Sequence, residues 1–154
     1  MYSRQEVSFL TQQFWTALGQ YLAPIPSAEG EKINWVNYKT GEKDIRFFMT
    51  TESSTAKISI TLSHRDIVLQ KLYFDKLLKF KNTFHQILEE QWQWQELTMD
   101  SNGKVISEIY TSLENVNILN QHDWPMMISF FKERMLALDR FWCEYKYAFE
   151  RSGF

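Results

Sequence analysis

The hydrophobic period changes several times along this 154-residue chain, and each change predicts a new helix or strand. Apolar side chains first recur every three or four residues behind Ser3, whose spacing from Glu6 is typical of a capping box at a helix start. Pro24 and Pro26 end this pattern, because proline inside a helix removes a hydrogen bond and clashes with the preceding turn. A first helix followed by a loop over residues 23–32 is therefore predicted.

A period of two follows, which is typical of strands. Polar turns separate three alternating segments, predicted as antiparallel strands over residues 33–38, 45–50 and 57–62. The third segment has the clearest alternation, with Ile58, Ile60 and Leu62 on one side and Lys57, Ser59 and Thr61 on the other. One face of this strand is expected to be buried and the other at least partly exposed to solvent.

The second half of the chain repeats this order. A helical pattern begins near Ser63 and continues to about Glu90, and two strand-like segments follow at residues 91–99 and 104–110. The tetrapeptide DSNG between those strands suits a tight hairpin turn. Asp123 and Pro125 then predict the start of a last helix, whose apolar stripe continues to Phe149.

The segment QWQWQ, residues 91–95, poses a question of its own, because alternation puts both tryptophans on one side of the strand. Trp92 and Trp94 either pack into the core or form an exposed platform on which nucleic-acid bases could stack. Stacking platforms normally lie in a positive groove. Residues 91–95 contain no basic side chain, and the next residue, Glu96, is acidic. The core interpretation is therefore favoured.

These elements predict an α+β fold. A mostly antiparallel sheet of about five strands would be packed by three helices, in the order helix, three strands, helix, two strands, helix. At 18.5 kDa and with no internal repeat or linker, residues 1–154 are expected to form a single domain.

Composition narrows the classes of function. The formal charge of −2 and the pI of about 5.9 give no basic field for nucleic acid or an anionic membrane. Cys143 is the only cysteine, and the three histidines lie far apart in sequence, so no metal site or cofactor is predicted. The histidines are expected to be exposed or to cap helices, and Cys143 to be a structural thiol. Without an apolar run long enough for a membrane span, a cytoplasmic location is expected.

The predicted element order resembles the core of the PD-(D/E)XK nucleases. That resemblance would match Asp44 to the metal-binding aspartate and Lys57 to the lysine of the nuclease motif; an enzymatic alternative would use Asp44, Glu52 and Lys57 together, with Glu52 in the turn before the third strand. Thr55, however, stands where the nuclease pattern has a carboxylate two residues before its lysine. A hard cation such as Mg²⁺ depends on such carboxylates, so no catalytic residue is assigned.

Polar residues of the predicted sheet supply a candidate binding surface instead. Arg46, Ser59 and Thr61 are expected to share a polar sheet face, together with Asn34 or Tyr38 from the first predicted strand.

Several longer stretches, among them WVNYKTG at residues 35–41 and the helix start DWP at 123–125, resemble an uncharacterised bacterial family, domain of unknown function 4268. The resemblance covers nearly the whole chain and brings no catalytic residues with it. Members of this family occur alone or behind nuclease-like domains, which implies an accessory role. The sequence thus leads to a non-catalytic interaction module that self-associates as a homodimer or binds a protein partner. The alternative is a nucleic-acid-binding module related to a nuclease.

Overall fold

The fold is α+β, as predicted, and the computed structural model describes residues 2–150. Its strands form one antiparallel sheet in the order β1-β2-β4-β3. The strands are β1 (Ile45–Glu52), β2 (Thr55–Leu62), β3 (Gln93–Met99) and β4 (Val105–Glu114). The helices are α1 (Arg4–Leu22), α2 (Ile67–Leu78), α3 (Lys81–Leu88), α4 (Trp124–Tyr145) and α5 (Tyr147–Glu150).

The predicted strand at residues 33–38 is wrong, and the sheet has four strands instead of about five. This segment is a loop, and each of its aromatic side chains makes its own contact with another part of the protein. The Trp35 indole N–H donates to the Ile25 carbonyl at 2.8 Å, and the Tyr38 ring stacks on Phe47 with ring centroids 4.8 Å apart. Alternation here reflects separate aromatic contacts with the core and no strand pairing.

The first helix is confirmed, together with its capping box. The Glu6 N–H donates to Ser3 Oγ at 3.1 Å, and the Ser3 N–H donates to Glu6 Oε1 at 3.2 Å. The helix ends at Leu22, just before the two prolines. This end agrees with the predicted loop.

The helix predicted from Ser63 to Glu90 is two helices. Asp66 caps α2, because its carboxylate accepts the N–H groups of Val68 and Leu69, so the helix starts later than the Ser63 pattern indicated. The chain leaves helical geometry at Phe80 and re-enters it as α3. Apolar periodicity continues across this break because both helices pack on the same core, which hides the break in the sequence.

Both strands of the second half are confirmed, including their hairpin turn. Asp100 Oδ1 accepts the N–H groups of Asn102 at 2.8 Å and Lys104 at 2.9 Å, and Gly103 has the positive φ of 77° that the turn needs. A bulge interrupts β3, where Leu97 also has a positive φ of 49°.

The last helix begins as predicted, with Pro125 in its first turn. Asp123 precedes it, but its carboxylate accepts the Asn117 N–H at 2.9 Å and makes no hydrogen bond to the helix. The helix ends at Tyr145, and the short α5 carries Phe149 back onto the core.

Helices α2, α3 and α4 contact the sheet on the same side, which we call the inner face. Gln70 of α2 bonds to Ser107, Phe84 of α3 packs on Trp94, and Trp142 of α4 packs on Phe47. Helix α1 lies against α4, where the Phe14 ring contacts Trp124 and Phe131 edge to face. No helix in residues 2–150 combines the length and apolar content that a membrane span requires.

Candidate functional site

The sheet brings three of the predicted site residues together on its other face. Arg46 lies opposite Thr61, and Phe48 lies opposite Ser59. Residues paired across an antiparallel ladder point to the same side of the sheet, so these four side chains share one face. We call this surface the outer sheet face and define it by the side chains Arg46, Phe48, Lys57, Ser59, Thr61, Glu108 and Tyr110.

The centre of this face is less exposed than the alternation predicted. Ser59 is 3% exposed and Thr61 is 7% exposed, so the expectation of an at least partly exposed polar side is wrong at these two positions. Their hydroxyls bond to each other at 3.0 Å, which lets the larger side chains around them exclude water without leaving a polar atom unpaired. The two hydroxyls thus satisfy each other inside the sheet face.

Two charged side chains of the outer sheet face, Lys57 and Glu108, pair with each other. The Lys57 ammonium donates to both carboxylate oxygens of Glu108 at 3.0 and 3.1 Å and lies 4.3 Å from the Tyr110 ring centroid. The Arg46 guanidinium lies 5.1 Å from the centre of the Phe48 ring. Arg46 and Phe48 are exposed, so β1 contributes a cation and an aromatic ring to the accessible part of this face.

Asn34 and Tyr38 do not join this face. They lie in the loop before β1, and the Tyr38 hydroxyl donates to Asp139 Oδ1 of α4 at 2.5 Å. The Ala28 N–H donates to Asp139 Oδ2 at 2.7 Å, and Cys143 Sγ lies 3.4 Å from Oδ1. This Asp139 cluster (Ala28, Tyr38, Asp139 and Cys143) ties the loop to α4.

Electrostatics make the cluster a poor reaction centre. Burial, then the hydrogen bond to Asp139, raises the pKa of Tyr38 far above its usual value. Burial and the negative charge of Asp139 raise the pKa of Cys143 to about 12. Thiol nucleophiles react as thiolates, so a Cys143 that stays protonated at neutral pH fits the predicted structural role.

A cavity of about 310 Å³ opens beside this cluster, between the loop and α4. Two charged side chains of its lining bind each other, since Lys146 donates to Glu29 Oε1 at 2.8 Å, and the Tyr147 hydroxyl nearby donates to Glu29 Oε2 at 3.2 Å. Asn34 accepts the Asn37 N–H at 3.2 Å within its own turn. These polar side chains stabilise the loop.

The nuclease-like residues do not converge. Asp44 precedes β1 and Glu52 ends it, and an eight-residue strand spans about 26 Å at about 3.3 Å per residue. Lys57 lies opposite Thr50, two residues along the ladder from Glu52 on the same sheet face, but its ammonium is bonded to Glu108, and Asp44 remains at the far end of β1. Among the residues that the structure describes, no group of three or more His, Cys, Asp or Glu side chains is arranged to hold a metal ion.

The two tryptophans of QWQWQ belong to the core, as favoured from the sequence. Trp92 is 4% exposed and donates its indole N–H to Glu90 Oε2 at 2.7 Å. Trp94 is partly buried and donates to His85 Nε2 at 3.2 Å. The glutamines on either side of them are exposed, and both indole rings face Phe84 edge to face.

The histidines depart from the expectation that all would be exposed or capping. His122 is exposed, but His64 is 5% exposed and its ring stacks on Tyr73 with centroids 4.6 Å apart. His85 is partly buried, and its Nε2 accepts from the Trp94 indole and from the Trp92 backbone N–H at 3.4 Å. Burial lowers the pKa of both His64 and His85, with Lys81 adding to the effect at His85.

We expect His85 to make stability depend on pH. Its pKa is lowered on folding from 6.5, so the unfolded chain takes up the proton first and stability falls as pH drops below about 6.5. Protonation of Nε2 would also remove the acceptor for both tryptophan N–H groups. Thermal unfolding followed between pH 7.5 and 5 should show a smaller loss of Tm for His85→Gln than for the wild type. An equal loss in both proteins would contradict this role.

The outer edge of β1 was not recognised as a feature of interest in the sequence. At the start of the strand this edge is occupied: the Ile45 N–H donates to the Glu42 carbonyl at 3.4 Å, and Thr40 Oγ1 donates to the Ile45 carbonyl at 2.7 Å. Both backbone groups of Ile45 therefore point away from β2. Because alternate residues of a strand point the same way, Phe47, Met49 and Thr51 also direct their backbone groups outward.

A groove of about 1050 Å³ lies between α1 and α4. Phe9, 60% exposed, and Tyr21, 62% exposed, project beside it. Its lining is mostly glutamine and apolar side chains, with Lys132 as its charged member.

These features define an α+β fold in which α2, α3 and α4 pack on one face of a four-stranded antiparallel sheet. The chain belongs to the family described as Domain of unknown function (DUF4268), whose model matches residues 10–146. This match confirms the resemblance seen in the sequence. No curated protein and no solved structure matches the chain.

Proposed function

We propose that the protein is a non-catalytic interaction module that associates with a second copy of itself through its sheet. The observation that carries the proposal is that the outer edge of β1 has unpaired backbone N–H and C=O groups, while polar side chains of the candidate sites are bonded within the protein. Lys57 is bonded to Glu108, and Asp139 is bonded to the loop, whereas β1 has backbone groups that no other described segment uses. Such an edge is a template for pairing with another chain.

The outer sheet face supports the same proposal. With Lys57 neutralised by Glu108, a second copy would meet little net repulsion there. Exposed Phe48 adds apolar and aromatic contact area beside the edge. A self-associating domain would also suit the accessory role that the family resemblance implies.

Molar mass measured by light scattering during size-exclusion chromatography tests self-association. From micromolar to millimolar concentration, the mass should rise from 18.5 kDa toward twice that value. Concentration matters because small interfaces give weak complexes. A mass of 18.5 kDa throughout this range would overturn the proposal.

The second candidate function is nucleic-acid binding on the outer sheet face. Its support is the pairing of cations with aromatic rings, Arg46 with Phe48 and Lys57 with Tyr110, on the outer face of the four-stranded sheet. It is weaker because Glu108 neutralises Lys57 and the chain has a net charge of −2. Titration with single-stranded DNA and RNA at two salt concentrations separates the candidates, since binding to phosphates weakens steeply with salt.

A further inference from the structure

We infer that two copies of the chain pair antiparallel along β1, with Met49 opposite Met49 of the second copy, to form one continuous sheet. This inference rests on the proposed self-association and names its geometry. The free backbone groups of β1, the charges on its outer side and the bulge in the opposite edge strand support this pairing.

The backbone groups select the register. Phe47, Met49 and Thr51 direct their N–H and C=O groups outward, and no segment of residues 2–150 outside the sheet bonds to these groups. A two-fold axis at Met49 pairs Met49 with itself and Phe47 with Thr51 of the second copy. Every outward group of the three residues then has a partner, and pairing stops at Ile45, which Thr40 and Glu42 already occupy.

Other registers satisfy fewer groups. An axis at Phe48 would place Thr51 opposite Ile45 of the second copy, where the Thr40 hydroxyl is already bonded to the carbonyl. An axis at Thr50 would place Phe47 opposite Ser53, which lies in the turn beyond the strand. In the register centred on Met49, the paired residues are the same three residues whose outward backbone groups are free.

Charge complementarity points to the same register. With Met49 on the axis, Arg46 faces Glu52 of the second copy, and Glu52 faces its Arg46. Both side chains are exposed and lie on the outer face of β1. They would form a pair without mutual backbone hydrogen bonds, in which side chains approach most closely. Two opposite-charge pairs related by the axis would thus stabilise the dimer.

The opposite edge of the sheet is less suited to pairing. The bulge at Leu97 breaks the regular backbone of β3, and Lys71 of α2 reaches over to Glu96 at 2.8 Å. Bulges and charged side chains are the usual protections of an edge strand. By contrast, β1 pairs with β2 without interruption along its whole length and contains no proline.

Charge exchange at residues 46 and 52 tests the register by sedimentation equilibrium. Arg46→Glu and Glu52→Arg should each weaken the dimer by about tenfold or more, because each places two like-charge pairs across the axis. The double variant Arg46→Glu with Glu52→Arg restores opposite charges and should dimerise nearly as well as the wild type. Lys104→Glu is the matched control, since it changes the net charge as Arg46→Glu does but lies beside β4; its dimer should be unaffected.

Thr51→Pro gives an independent test through the backbone. It removes an N–H that points outward, which an edge strand tolerates, and should yield a folded monomer by circular dichroism and sedimentation. If the wild type dimerises while Thr51→Pro and both single reversals dimerise equally well, the register is overturned and self-association stands. If the wild type is monomeric at every concentration, both proposals are overturned.

Discussion

Phe84→Ala should lower the free energy of unfolding by about 3–5 kcal/mol, the range typical of a fully buried phenylalanine. Phe84 has no exposed surface, and its ring meets three large rings edge to face. The centroid distances are 5.2 Å to Trp92, 5.6 Å to Trp94 and 5.1 Å to Phe141. The side chain thus joins α3 to β3, to the segment before it and to α4.

The size of this effect comes from both burial and ring geometry. Removing the ring leaves a cavity that rigid neighbours fill poorly, and aromatic pairs contribute about 0.5–1.5 kcal/mol each beyond their buried area. Urea unfolding followed by tryptophan fluorescence measures the change. Phe9→Ala is the matched control, because Phe9 is 60% exposed and its loss should change stability by no more than about 0.5 kcal/mol. Equal effects of the two substitutions would contradict the central position of Phe84.

Local patterns in the sequence are sufficient to predict the structure wherever residues close in sequence determine it. The capping box of Ser3 and Glu6 and the turn at Asp100 and Gly103 are satisfied by residues within a few positions of each other. Alternation correctly placed Trp92 and Trp94 toward the core. Signals of this kind require no knowledge of what the chain meets later in space.

The predictions are wrong where a residue distant in sequence determines the local structure. Residues 33–38 alternate like a strand, but Tyr38 bonds to Asp139, which is 101 positions away. No local period contains that contact, so Tyr38 was assigned to a strand face that it does not occupy. Burial of Ser59 and Thr61 likewise depends on side chains of the neighbouring strands.

Only the part of the candidate site that depends on local alternation could be predicted from the sequence. Alternation is enough to put Arg46 on the same face as Ser59 and Thr61 once their strands pair. Whether β1 lies at an edge depends on the order of all four strands, which the sequence does not reveal. The uninterrupted, proline-free run at residues 45–52 is the one local signal that could have drawn attention to it.

Asp139→Ala is expected to lower the free energy of unfolding by about 3 kcal/mol, because it removes a buried acceptor from two strong donors. Asp139 is 2% exposed, and its carboxylate holds the Tyr38 hydroxyl and the Ala28 N–H at 2.5 and 2.7 Å. Hydrogen bonds to a charged group contribute about 1.5–3 kcal/mol, and leaving their donors buried without a partner adds to the loss. Glu133→Ala, an exposed acidic position on the same helix, is the control and should change stability by about 0.5 kcal/mol or less.

The same substitution separates folding from the proposed dimerisation. The loop that Asp139 holds also presents Thr40, which is fixed by the Trp142 indole at 2.8 Å and bonds to the Ile45 carbonyl at the start of β1. In Asp139→Ala this second attachment remains, so limited proteolysis should cut first near Ala28 while β1 stays paired with β2. Such a variant should be less stable than the wild type and still dimerise, provided that the measurement is made well below its Tm. Unchanged unfolding in Asp139→Ala would mean that the loop is held by its aromatic contacts alone, and the Asp139 cluster would lose its assigned role.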